Sequence, residues 1–147
     1  MAEGNLGKYL TLESNSTNIY ISRDGGFSWE EVMKGSYVFG VSYHGSLIVM
    51  AGKGWETNYI LFSWDLGLTW DTQKISETRI NIIEILALPS GNDNGTGALF
   101  ILKGESIVGY NKVGILVSLD FTELLPKTCS GRENPEQADS DYEYWRR

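Results

Sequence analysis

The chain has 147 residues, 41 % of them hydrophobic, with five Trp, eight Tyr and a net charge of −7 at pH 7. That much apolar material suffices for one ordinary core and argues against a disordered chain. The acidity, with no basic patch, argues against nucleic-acid binding, and no run of about 18 apolar residues exists to span a membrane as a helix.

Met1-Ala2-Glu3-Gly4-Asn5-Leu6-Gly7 lacks the basic start and apolar centre of a signal peptide. Residues Thr17–Ser22 and Ser28–Met33 are then predicted as two strands joined by a tight turn. The turn lies in the octet Ser22-Arg23-Asp24-Gly25-Gly26-Phe27-Ser28-Trp29. A short aspartate side chain can accept hydrogen bonds from nearby backbone N–H groups. A glycine two residues on can take positive φ without a Cβ clash. Arg23, between Ser22 and Asp24, reads only as filler in the octet.

Tyr37–Tyr43 and Ser46–Ala51 follow as predicted strands, joined at His44-Gly45. His44 is the only histidine, so a His-based triad or a multi-histidine metal site is not expected. Asn58–Ser63 and Thr69–Lys74 complete a four-stranded unit around a second octet, Ser63-Trp64-Asp65-Leu66-Gly67-Leu68-Thr69-Trp70. Both octets read S-x-D-x-G-x-[S/T]-W and start 41 residues apart, the mark of a repeat architecture. Beyond them, Ile80–Leu88, a loop Pro89–Gly97, Ala98–Lys103 and Gly114–Leu119 supply most of a third unit. Ser118-Leu119-Asp120-Phe121-Thr122 is a degenerate third copy, without the glycine and the tryptophan.

The octet resembles the Asp-box of sialidases, some glycoside hydrolases and the Vps10/sortilin sorting receptors. The resemblance implies an all-β, partial β-propeller of about two to three four-stranded antiparallel blades. It makes Ser22, Asp24, Gly26, Ser28 and Trp29 structural residues of one turn, and Ser63, Asp65, Gly67, Thr69 and Trp70 those of the next. Each tryptophan is expected to be buried in its blade. Half a blade, a whole blade and three quarters of another cannot close into a ring. The faces carrying Ile82, Ile85, Leu99 and Ile101 are therefore expected to stay partly uncovered, with self-association through exposed blade edges.

The C-terminal region separates the families. Leu124-Leu125-Pro126-Lys127-Thr128-Cys129 and Asp141-Tyr142-Glu143-Tyr144-Trp145 resemble the exit from a Vps10 propeller into its cysteine-rich segment. Ile19-Tyr20-Ile21-Ser22-Arg23-Asp24-Gly25-Gly26 is similar to the fungal branch of that family. The implied organisation is an N-terminal segment (1–16), propeller blades (17–125), and the start of the cysteine-rich segment with an irregular acidic tail (126–147). The resemblance implies a fragment, or a non-functional remnant, of a receptor that sorts soluble hydrolases from Golgi to vacuole or lysosome. It implies soluble hydrolases or peptides as ligands, a Golgi, endosome or vacuole lumen as location, and neither a cofactor nor a metal. Cys129, the single cysteine, reads either as an inert thiol or, with the resemblance, as half of a disulfide. Asn15-Ser16-Thr17 and Asn94-Gly95-Thr96 are N-glycosylation sequons, making Asn15 and Asn94 candidate acceptors.

The alternative is a fragment of an Asp-box glycoside hydrolase or sialidase. A sialidase needs an arginine triad, yet three of the five arginines, Arg132, Arg146 and Arg147, lie in the tail. Asp71, Glu77 and Glu84 could in principle form a paired-carboxylate site, but acidic residues at strand ends are ordinarily solvated. The expectation is a binding module, not an enzyme.

Overall fold

A computed structural model describes residues 1–5, 17–42, 46–88 and 98–124. Among these residues the chain forms eleven β-strands in three antiparallel sheets, without an α-helix. The first sheet holds β1 (Ala2–Gly4), β2 (Asn18–Ile21) and β3 (Glu30–Lys34) in that order. The second runs β4 (Tyr37–Ser42), β5 (Leu47–Gly52), β7 (Tyr59–Ser63) and β8 (Asp71–Lys74). The third is ordered β11-β10-β9-β6, from β6 (Glu56–Thr57), β9 (Ile80–Leu88), β10 (Leu99–Val108) and β11 (Asn111–Asp120). These up-and-down sheets, packed face against face, make a partial propeller.

The middle sheet explains how one strand can be apolar at successive positions. Leu47-Ile48-Val49-Met50-Ala51 does not alternate, and every residue of β5 is buried. Because side chains alternate across a strand, Leu47, Val49 and Ala51 join the core shared with Ile82, Phe100 and Leu102 of the third sheet. Ile48 and Met50 instead join Ile19 and Ile21 of the first sheet. A strand covered on both faces has no polar side to show. Close approach of the second and third sheets requires Gly40 on β4, where an added Cβ would sit 2.8 Å from Cγ2 of Ile85 and 3.3 Å from the Phe100 ring.

Polar ties supplement the two cores. Glu3 on β1 accepts from Ser36 Oγ and pairs with Lys53 Nζ at 2.9 Å, joining the first sheet to residues flanking the second. Trp55 lies over Gly52 and meets Tyr37 edge-on, with ring centroids 5.6 Å apart.

Several sequence expectations need correction. Ile82 and Ile85 are 2 % and 7 % exposed, because the second sheet covers their face of the third sheet, whereas Leu99 and Ile101, on its opposite face, are only partly buried as expected. β1 gives the first sheet a third strand. β6, only two residues long, leaves the middle unit to pair with the start of β9. β10 and β11 run well past the predicted strand ends, closing at Gly109-Tyr110. Gly109 has φ 65°, fitting the glycine-first two-residue hairpin loop. The predicted turn at His44-Gly45 and loop at Pro89–Gly97 lie outside the described residues.

Candidate functional site

The two octets fold into matching turns. In the first, Gly26 N donates to Ser22 Oγ (2.7 Å), and Ser22 Oγ donates to Asp24 Oδ1 (2.8 Å). Asp24 also accepts from Ser28 N at Oδ1 (2.9 Å) and from Ser28 Oγ at Oδ2 (2.6 Å). In the second, Gly67 N donates to Ser63 Oγ (2.9 Å), which donates to Asp65 Oδ1 (2.8 Å). Asp65 accepts from Thr69 N (2.8 Å), Thr69 Oγ1 (2.6 Å) and Leu68 N (3.0 Å). One carboxylate thus collects the donors of a chain reversal that strand pairing alone would leave without partners.

The backbone explains the two-residue interval between aspartate and glycine. Gly26 and Gly67 have φ of 98° and 80°, and the residue before each is also left-handed, Gly25 at 73° and Leu66 at 60°. Leu66 is the only described non-glycine residue with positive φ. A side chain there costs roughly 1–2 kcal/mol.

The hydrogen bonds set the electrostatics. The Ser28 hydroxyl and amide, then the Ser22 hydroxyl, hold Asp24 down at a pKa of about 2. The Thr69 hydroxyl and amide, assisted by Ser63 and Leu68, do the same for Asp65. Carboxylates that accept three hydrogen bonds, as Asp24 does, or four, as Asp65 does, and that are ionised at every physiological pH, have no proton to give and little basicity to offer. Asp120 in the degenerate third copy is also lowered, by the Thr122 side chain and by Thr122 N, which donates to Oδ1 at 2.8 Å. Here the chain enters a single 3-10 turn, Thr122–Leu124, in place of the glycine-based reversal.

The tryptophans ending the octets differ. Trp29 is 49 % exposed and donates from Nε1 to Gly26 O at 3.2 Å, so the expected burial does not hold for this ring. Trp70 packs among Ile19, Ile21, Ile48 and Met50, and its buried Nε1 has no partner among the described residues. Each strand after an octet begins one residue beyond its tryptophan, at Glu30 and Asp71.

The other acids do not converge. Asp71 opens β8 opposite Phe62, Glu77 pairs with Lys74 at 2.7 Å, and Glu84 on β9 lies opposite Lys103; all three are exposed. No group of His, Cys, Asp and Glu among the described residues could hold a metal ion. No described helix is long and apolar enough to cross a membrane. Asn15, Asn94 and Cys129 lie outside the described residues.

Sequence reasoning missed Arg23. Its Nε donates to Leu66 O at 3.1 Å, and its guanidinium also pairs with Glu30. The first turn therefore holds the carbonyl of the strained residue in the second. An arginine at the octet's first variable position was the available signal.

Comparison with known proteins agrees with this architecture. A family model, Sortilin-Vps10, described as "Sortilin, neurotensin receptor 3", matches residues 1–85. The chain is 36 % identical to the vacuolar protein sorting/targeting protein 10 of Laccaria bicolor, over 99 % of this chain and 9 % of that protein. The Debaryomyces hansenii protein of the same name is 32 % identical over 99 % of this chain, and that of Blastomyces gilchristii 37 % over 97 %. In each case the match covers 9 % of the relative, so the chain spans about a tenth of their length. These names are those of sorting proteins and do not favour the glycoside hydrolase alternative.

Proposed function

Because the chain belongs to the Sortilin/Vps10 family of sorting receptors, we propose that it forms consecutive blades of a cargo-binding propeller. In this reading the whole protein captures soluble hydrolases or peptides in the Golgi and endosome lumen and directs them to the vacuole or lysosome. Capture is non-covalent and makes or breaks no bond in the cargo. Similarity along 97–99 % of the chain to vacuolar sorting/targeting proteins carries the proposal.

Within it, residues 17–125 are blades, the first of them joined by β1 from the N-terminal segment, and 126–147 begin a cysteine-rich segment. Ser22, Asp24, Gly26, Ser28 and Trp29, with Ser63, Asp65, Gly67, Thr69 and Trp70, are scaffold residues and not cargo contacts. Asn15 and Asn94 are glycan acceptors, and Cys129 is a half-cystine. The hydrogen-bonded turns support the scaffold role, since both aspartates are consumed within their own octets.

The experiment is disruption of the gene in its own cells, with a soluble vacuolar hydrolase assayed in cells and medium. Missorting predicts a rise in the secreted fraction, reversed by the intact gene. An unchanged distribution across several such hydrolases would overturn the proposal.

A further inference from the structure

The variable positions of the octet carry a regularity that the fixed positions do not. Numbered from its serine, the first octet has Arg23 at position two and Gly25 at position four. The second has Trp64 and Leu66, and the degenerate third has Leu119 and Phe121. Arg23 reaches Leu66, donating from Nε to the carbonyl at 3.1 Å. Trp64 reaches Phe121, with ring centroids 6.0 Å apart and planes at 80°. At both junctions position two of one blade meets position four of the next.

We infer that positions two and four of the Asp-box form a blade-to-blade latch, so that the variable residues of the motif join each blade to its neighbour. The two latches use different chemistry at the same places. At the first junction Leu66 is exposed, so only its backbone carbonyl is offered, and a guanidinium is the long, forked donor that reaches it. The Arg23 side chain is 25 % exposed against 66 % for its ion-pair partner Glu30, so the arginine is the more enclosed of the two. At the second junction Phe121 is 4 % exposed, so a ring is offered, and an indole meets it in a T-shaped pair. Phe121 also meets Phe62 and Phe100 at 5.2 and 5.9 Å, which fixes the ring that Trp64 contacts. A carbonyl on the surface selects a donor, and a buried aromatic selects an aromatic.

The latch makes a prediction that a role within one blade does not. Native-state amide exchange on the full chain locates the effect of each substitution. Arg23→Ala should speed exchange at Leu68 and Thr69, in the second turn, roughly threefold or more, the lower range for directly coupled groups. Glu30→Gln, which removes only the intra-blade ion pair, should leave those amides unchanged. Trp64→Ala should likewise speed Thr122 and Leu124 in the third turn. Should Arg23→Ala fail to fold, Arg23→Lys keeps the charge and loses the fork, and is read at the same amides. Acceleration confined to Gly26 and Ser28 after the Arg23 substitutions, or the same response at the second turn from Glu30→Gln, would overturn the inference.

Discussion

Gly67 lies against Ile21, so closely that a Cβ added to the glycine would fall 2.5 Å from the isoleucine Cδ1. Ile21 ends the strand that enters the first octet, and Gly67 is the glycine of the second that matches Gly26 in the first. The turn of one blade therefore rests on the strand of the blade before it. The glycine is needed twice, for its φ of 80° and for the space its missing side chain leaves.

Those two demands can be separated. Gly25 also has positive φ, 73°, but nothing lies within 4 Å of its added Cβ. Gly25→Ala should cost only the backbone term, about 1–2 kcal/mol. Gly67→Ala should cost about 2–4 kcal/mol, since overpacking adds to backbone strain. Thermal or denaturant unfolding of both variants checks the difference. Gly67→Ala combined with Ile21→Val should recover part of the loss.

Acid should weaken the turns within a definable window. Asp24 and Asp65 ionise at about 2 in the folded chain, against an ordinary 3.8. A carboxylate with a lowered pKa in the folded state stabilises fully above the unfolded value, and that stabilisation fades as pH falls through the folded value. The contribution should therefore be complete above about pH 4 and shrink toward pH 2. Unfolding of the parent and of an Asp24→Asn, Asp65→Asn variant should show a stability difference that narrows across this interval. A difference constant from pH 5 to pH 2 would contradict the bonding described.

The two tryptophans should respond differently to phenylalanine. Trp70 Nε1 is buried without a partner among the described residues, a burden of roughly 1–3 kcal/mol that phenylalanine removes while losing some packing. Trp70→Phe should therefore be close to neutral, within about 1 kcal/mol. Trp70→Ala, which empties a site among Ile19, Ile48 and Met50, should cost about 3 kcal/mol or more. Trp29→Phe loses the bond to Gly26 O from a half-exposed ring and should cost about 0.5–1.5 kcal/mol. Chemical denaturation of the three variants orders them.

Local chemistry was legible in the sequence, and long-range pairing was not. The Ser-x-Asp-x-Gly spacing announced β2 and β3, and β7 and β8, because the turn is made from side chains a few residues apart. β6 was invisible, since Glu56-Thr57 becomes a strand only by leaving its chain neighbours in the second sheet and pairing with Asn81 and Ile80 in the third. The predicted strand ended at Lys103, one residue before Gly104, whereas β10 runs on to Val108. Gly104 sits at a register shift after Lys103, with Ile80 Cγ2 only 2.7 Å from where its Cβ would be. Burial of Ile82 and Ile85 depended on how the second sheet packs, which no spacing within β9 reveals. Arg23 stayed a filler for the same reason, its acceptor being 43 residues away.

The central claim is that the two turns belong to adjacent blades in direct contact. Nuclear Overhauser spectroscopy of the methyl-labelled chain tests it most directly, through the pair Ile21 Cδ1 and Gly67 Hα. The account predicts a strong cross-peak between them, lost on Ile21→Ala while the cross-peaks within the Asp65 turn persist. An ordered spectrum with both turns intact and no contact between Ile21 and Gly67 would contradict it.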